Sequence, residues 1–102
     1  MVKHIILWKL KDTLSSSEKQ TVCEQAKVQL EALKGKINGL SSINVQIDRL
    51  PTSTADMMLD CTFTNEAALK AYAQHPAHVA VANTYVRPFT AERFCLDFET
   101  PD

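Results

Sequence analysis

Glycine is scarce in this sequence: 102 residues contain only Gly35 and Gly39. That excludes a three-glycine dinucleotide loop, and the spacing of the pair does not fit a phosphate-binding loop. A basic excess is also missing. Eleven Lys and Arg stand against twelve Asp and Glu, a net charge of −1. Nothing remains to neutralise a phosphate backbone, so no nucleic-acid partner is expected. Long apolar runs are absent too. The stretch from Ile5 to Trp8 is far too short to cross a bilayer, so no membrane partner is expected. The opening Met1-Val2-Lys3-His4-Ile5 lacks the layout of a secretion signal. Cysteine is sparse and odd in number. Cys23, Cys61 and Cys95 have no metal-ligand spacing and read as reduced, small apolar fillers in a cytoplasmic chain.

What is present suits one compact domain over residues 1–102. The composition, 45% hydrophobic and 23% charged, is ordinary for a globular chain. At this length roughly two-thirds of the unfolded surface is buried on folding, which leaves little spare core for a deep pocket.

Hydrophobic spacing predicts the elements. Residues 2–10 alternate as a strand. Val2, His4, Ile6, Trp8 and Leu10 lie on one face, and Lys3, Ile5, Leu7 and Lys9 on the other. Ser15 and Glu18 stand in capping-box spacing. Val22, Ala26, Leu30, Leu33 and Ile37 then form the buried stripe of a helix that ends near Gly35. Ile43, Val45 and Ile47 alternate in a second strand that Pro51 ends. Met57, Leu59, Cys61 and Phe63 alternate in a third. Asn65 is set to cap a second helix carrying Leu69 and Tyr72 on one face. Pro76 breaks it at His75 and opens a short third helix through about Tyr85. Residues 93–98 make the last strand.

The order is β-α-β-β-α-β, the ferredoxin-like arrangement: an α+β fold with a four-stranded antiparallel sheet and helices on one face. The other face would expose Ile5, Leu7 and Met58. A homodimer of two facing sheets covers such a patch.

Two segments resemble the stress-responsive A/B barrel (Dabb) family. One is the opening Val2-Lys3-His4-Ile5-Ile6-Leu7-Trp8-Lys9-Leu10-Lys11-Asp12. The other, more specific, is the Leu-x-x-Tyr-x-x-His-Pro-x-His pattern from Leu69 to His78. The resemblance spans nearly the whole chain and implies a dimeric α+β barrel built from two ferredoxin-like protomers. It also implies a pocket between helices and sheet. A plant polyketide cyclase of that family closes a linear tetraketide thioester by an aldol condensation without a cofactor. Its catalytic histidine and tyrosine match His78 and Tyr72, and a first-strand pocket histidine matches His4. A third-strand histidine of the cyclase aligns with Met57, and a first-helix tyrosine falls near Ala26. Both substitutions remove polar groups.

The chemistry of these side chains supports a site. A neutral imidazole at His78 could take a proton next to a carbonyl, with Tyr72 donating to the resulting enolate. His4, Trp8 and Met57 are the expected ligand-binding residues. Each also has a plainer role: His78 and His75 as caps at the bend, His4 as a satisfied core histidine, Trp8 and Phe63 as core filler. The pair His75-x-x-His78 has ligand-like spacing, but Pro76 interrupts the helix and no acid stands nearby, so no metal is expected. Asp56, Asp60 and Asp97 read as surface or interface acids. The function expected is binding or transformation of a small hydrophobic, polyketide-like molecule. The alternative is a non-catalytic stress or scaffold protein whose dimeric assembly is the function. A cofactor-free monooxygenase follows only from fold analogy.

Overall fold

A computed structural model describes residues 1–101. Strand β1 runs Val2–Leu10 and buries Val2, His4, Ile6, Trp8 and Leu10 on the helix side of the sheet. Helix α1 spans Ser16–Glu31. The Ser15 hydroxyl accepts from the Glu18 N–H at 3.1 Å, and the Glu18 carboxylate accepts from the Ser15 N–H at 2.9 Å. Such a reciprocal cap is worth about 1 kcal/mol. Val22, Cys23, Ala26 and Leu30 form the buried stripe of α1. Leu33 and Ile37 are buried as well, but they lie in the turns after the helix.

Both glycines have left-handed backbone, Gly35 at φ +85° and Gly39 at φ +83°. Gly39 also lies close to the next layer: a Cβ there would meet the Ala68 Cβ at 2.5 Å. Strand β2 is Leu40–Gln46 and β3 is Met57–Phe63. Alternation in the sequence places the start of the second strand at Ile43. The earlier start is hidden by Ser41 and Ser42, where a register irregularity interrupts the alternation.

Helix α2 spans Glu66–Gln74, with the Asn65 side chain accepting from the Ala68 N–H at 2.8 Å. His75 is extended, as a residue before proline prefers, and Pro76 opens α3, Pro76–Val81. The expected continuation of this helix to Tyr85 is corrected. The chain widens into a π-helical turn over Ala82–Val86, then tightens into a 3₁₀ turn over Arg87–Phe89. Strand β4 follows directly as Thr90–Glu99, starting three residues earlier than expected.

All strand pairs are antiparallel and the sheet order is β2-β3-β1-β4. This is the ferredoxin-like topology. One hydrophobic core joins α1, the helical segments after it and one face of the sheet. Among the described residues no helix is long and apolar enough to cross a membrane.

The opposite face is bare. Register sets Leu7 beside Phe94, Ile5 beside Leu96 and Lys3 beside Phe98, so these side chains share a face. Phe94 and Leu96 are each 65% exposed, Phe98 42% and Leu7 40%. The β4 contribution to this patch exceeds that of the residues singled out from sequence.

Two sequence assignments change. Asp56 is buried, not a surface acid. Its carboxylate accepts from the Leu10 N–H at 2.7 Å and lies 3.6 Å from the Arg49 guanidinium, so it satisfies the buried last N–H of β1. Cys95 is exposed, because the helices do not reach over β4; Cys23 and Cys61 are buried as expected. Burial pushes the Cys61 thiol up to about 12, which keeps it protonated.

Candidate functional site

The bend at Pro76 folds α3 back against α2, and this places His78 against Tyr72. Their rings stack with centroids 4.1 Å apart, tilted by 36°. Tyr72 sits at the centre of an aromatic group, 5.0 Å from Phe63 and 6.1 Å from His4. Together with Ile6, Trp8 and Leu59 from the sheet, Tyr72, His78 and His4 enclose a cavity of about 150 Å³. The π-helical turn contributes Ala82 and Val86 to its wall, and Arg87, Thr90 and Arg93 line it further along the chain. A π-turn carries one extra residue and recurs at functional sites.

Two polar atoms in this site are buried without a hydrogen-bond partner: the Tyr72 hydroxyl and His78 Nδ1. The Cys61 thiol beside the tyrosine is only a weak partner. Native structures leave few buried polar groups unpaired, and each one calls for an explanation. Burial sets both groups to their neutral forms. It pushes the Tyr72 phenol far up, so the O–H stays on. It holds His78 below the ordinary histidine value against the opposing pull of a hydrogen bond to the Ala73 backbone, and the positive charges of Arg87 and Arg93 add smaller pushes in the lowering direction. At neutral pH the site therefore offers one O–H donor and one imidazole acceptor.

His4 lies on β1 at the edge of the same cavity. Its Nδ1 is in a short hydrogen bond with Asp97 Oδ1 on the neighbouring strand, and Cys95 Sγ is 3.7 Å from the same nitrogen. His4, Cys95 and Asp97 are thus a set of potential metal ligands. The acid and the thiol share one ring nitrogen, so this is not a relay in which they would occupy opposite nitrogens. The Arg93 guanidinium interacts with the Cys95 thiol and opposes a cation there. The hydrogen bond to Asp97 fixes the His4 ring.

The residues singled out from sequence separate in space. His4, Trp8, Tyr72 and His78 line one cavity. Met57 does not: it is buried in the core on the same sheet face, at the start of β3, where it borders a groove formed with Gln46, Arg49 and Met58. From β3 it is Leu59, two residues further along the same face, that lines the cavity in place of the expected Met57. His75 caps α3, its Nδ1 accepting from the Ala77 N–H at 3.1 Å, and does not share a site with His78. Arg87, Thr90 and Arg93 were missed. Arg93 was readable only as one alternate position of a strand, and Arg87 only as part of a turn before Pro88.

Comparison with known proteins agrees with this description. A crystal structure of a dimeric protein of unknown function and ferredoxin-like fold from Bacteroides fragilis is 36% identical, with a TM-score of 0.91 over 97% of this chain and 95% of that one. A dimeric ferredoxin-like protein of unknown function from Thermobifida fusca is 25% identical, with a TM-score of 0.80 over 97% and 90%. A hydroxynitrile lyase from Passiflora edulis shares the fold alone, at 18% identity and a TM-score of 0.75 over 95% and 90%. No curated protein matches the chain significantly. The model of the Stress Responsive A/B Barrel Domain matches residues 2–100. With that match over nearly its whole length, on a fold that places the Leu69-to-His78 motif around a cavity, the chain belongs to the stress-responsive A/B barrel (Dabb) family.

Proposed function

We propose that each protomer is a small-molecule site in which His78 acts as a base and Tyr72 as a hydrogen-bond donor. The observation that carries this is the pair of buried, unpartnered polar atoms lining one cavity. The tautomer that gives its proton to the Ala73 side leaves the Nδ1 lone pair free. Nδ1 then takes a proton from carbon next to a substrate carbonyl, and the electron pair moves onto the carbonyl oxygen. The Tyr72 O–H stabilises that oxygen, the enolate carbon bonds to a second carbonyl of the same molecule as in aldol closure, and the His78 imidazolium returns its proton to the new alkoxide, which restores the base. His4, fixed by Asp97, and Trp8 hold the substrate body. No cofactor enters these steps.

The protein acts as a homodimer with the two bare sheet faces together, as in the α+β barrels of its family. The dimeric relatives from B. fragilis and T. fusca support this. Three unpaired cysteines fit a reducing, cytoplasmic compartment.

Tyr72→Phe tests the site. An unpaired buried hydroxyl costs about 1–3 kcal/mol, so its removal leaves stability unchanged or raises it. Binding or turnover of polyketide-like carbonyl compounds falls at the same time. Full activity in Tyr72→Phe refutes the reading.

A further inference from the structure

The cavity has a charge sign. Among the described residues that line it there is no Asp or Glu, yet Arg87 and Arg93 both do. Neither arginine is in an ion pair among the described residues. Arg87 hydrogen-bonds Asn83 Oδ1 at 2.6 Å, a neutral acceptor, and Arg93 has no carboxylate partner. Both are exposed, so they stand at the mouth. Asp97, the acid closest in sequence to Arg93 on this face of β4, is occupied by His4. The interior beyond them is apolar, built from Ile6, Trp8, Leu30 and Leu59, with the buried unpartnered atoms of Tyr72 and His78 facing it.

Size limits the occupant. A cavity of about 150 Å³ with apolar walls holds a molecule the size of benzene. Arg93, His4, Leu69 and Ala73 also line the adjoining groove of about 630 Å³, so a longer tail could leave past Arg93, whereas the acids Glu66, Asp97 and Glu99 on that groove confine the positive end of the site to the cavity mouth.

We propose that the site takes a small carboxylate, with a body of about one six-membered ring in the cavity and its negative charge at the mouth against Arg87 and Arg93. This rests on the cavity being a ligand site, and it names the ligand's charge and size. A planar carboxylate suits guanidinium forks, which bind it through paired hydrogen bonds. The apolar end then lies against Trp8, and the carbon chain passes Tyr72 and His78. Two positive charges at the mouth disfavour a cation there, and a neutral ligand gains nothing from them.

Calorimetry with phenylacetate and its neutral analogue phenylacetamide tests this on the intact protein at low ionic strength. We expect phenylacetate to bind about tenfold more tightly than the amide. Arg93→Gln and Arg87→Gln should each weaken phenylacetate about threefold and leave phenylacetamide unchanged, because exposed pairs are individually modest. Added salt should shrink the difference between the probes. Equal affinity for the two probes, or unchanged phenylacetate binding in both variants, overturns the carboxylate assignment while the cavity remains a ligand site. Failure of both probes to bind the unaltered protein overturns the ligand site itself and the assignment with it.

Discussion

Replacing Phe94 with glutamate is the sharpest test of how the bare sheet face is used. Phe94 projects from β4 beside Leu7 and is 65% exposed. An aromatic side chain of this class carries about 200 Å² of surface, so roughly 130 Å² of Phe94 awaits cover. At about 25 cal/mol per Å² this is about 3 kcal/mol for each copy, an upper value because association has its own costs. A two-fold interface counts the residue twice, which brings the loss to about 6 kcal/mol per dimer. Two buried glutamates facing each other add to the loss. Such a change raises the dissociation constant by about four orders of magnitude. The protomer itself should keep its fold, because the residue makes no contribution to the core on the helix side. Sedimentation or light scattering at micromolar concentration should report about 23 kDa, twice the 11.4 kDa of one chain, for the unaltered protein and a mass near one chain for Phe94→Glu. Circular dichroism should be the same for both. An unaltered protein at 11.4 kDa refutes the dimer. A Phe94→Glu dimer of undiminished affinity refutes the face.

Three further outcomes follow from local geometry. Gly39→Ala should cost about 2–4 kcal/mol in urea unfolding, since a left-handed backbone and a 2.5 Å clash with Ala68 act together; Gly35→Ala meets nothing within 4 Å and should cost only about 1–2 kcal/mol. Asp56→Ala should lower stability by about 2–3 kcal/mol by orphaning the Leu10 N–H, with Asp56→Asn recovering part of it. His78 is held below its ordinary 6.5 in the folded state, so the unfolded chain binds more protons as pH falls through 6.5. Stability should therefore drop as pH falls from about 6.5 to the lowered folded value, and His78→Gln should flatten that part of the profile.

The regular parts of this molecule were legible because they follow one rule at a time. Alternation alone located β1 and β3, and the Ser15–Glu18 box and Asn65 marked two helix starts. The motif from Leu69 to His78 pointed to the right bend, since proline restricts His75 whatever surrounds it. The limits of β2, the π-turn and the start of β4 were not legible. There, polar Ser41 and Ser42 enter a ladder through an irregular register, and one extra residue widens a helix that its sequence would equally allow to run straight. Asp56 was misplaced for a related reason. A carboxylate is buried only when a particular N–H and a guanidinium meet it, and Leu10 and Arg49 lie far from it or on another segment. The site divides in the same way. Tyr72 and His78 are close in sequence, whereas the hydrogen bond of His4 to Asp97 and the position of Arg93 depend on pairing across the sheet.

That pairing has a consequence for how the chain reaches its folded state. β1 is an interior strand, yet one of its two partners is the distant β4: His4 pairs with Asp97 and Ile6 with Cys95. Contacts of such long sequence separation close late and slow folding. Until Thr90 and the residues after it dock, β1 is a temporary edge with a row of open hydrogen-bonding groups and Ile5 and Leu7 beside them. An open apolar edge of this kind invites pairing with other chains. Truncation before Thr90 should therefore yield aggregates instead of a smaller folded unit, and during synthesis the nascent chain is at its most vulnerable in the interval before β4 leaves the ribosome.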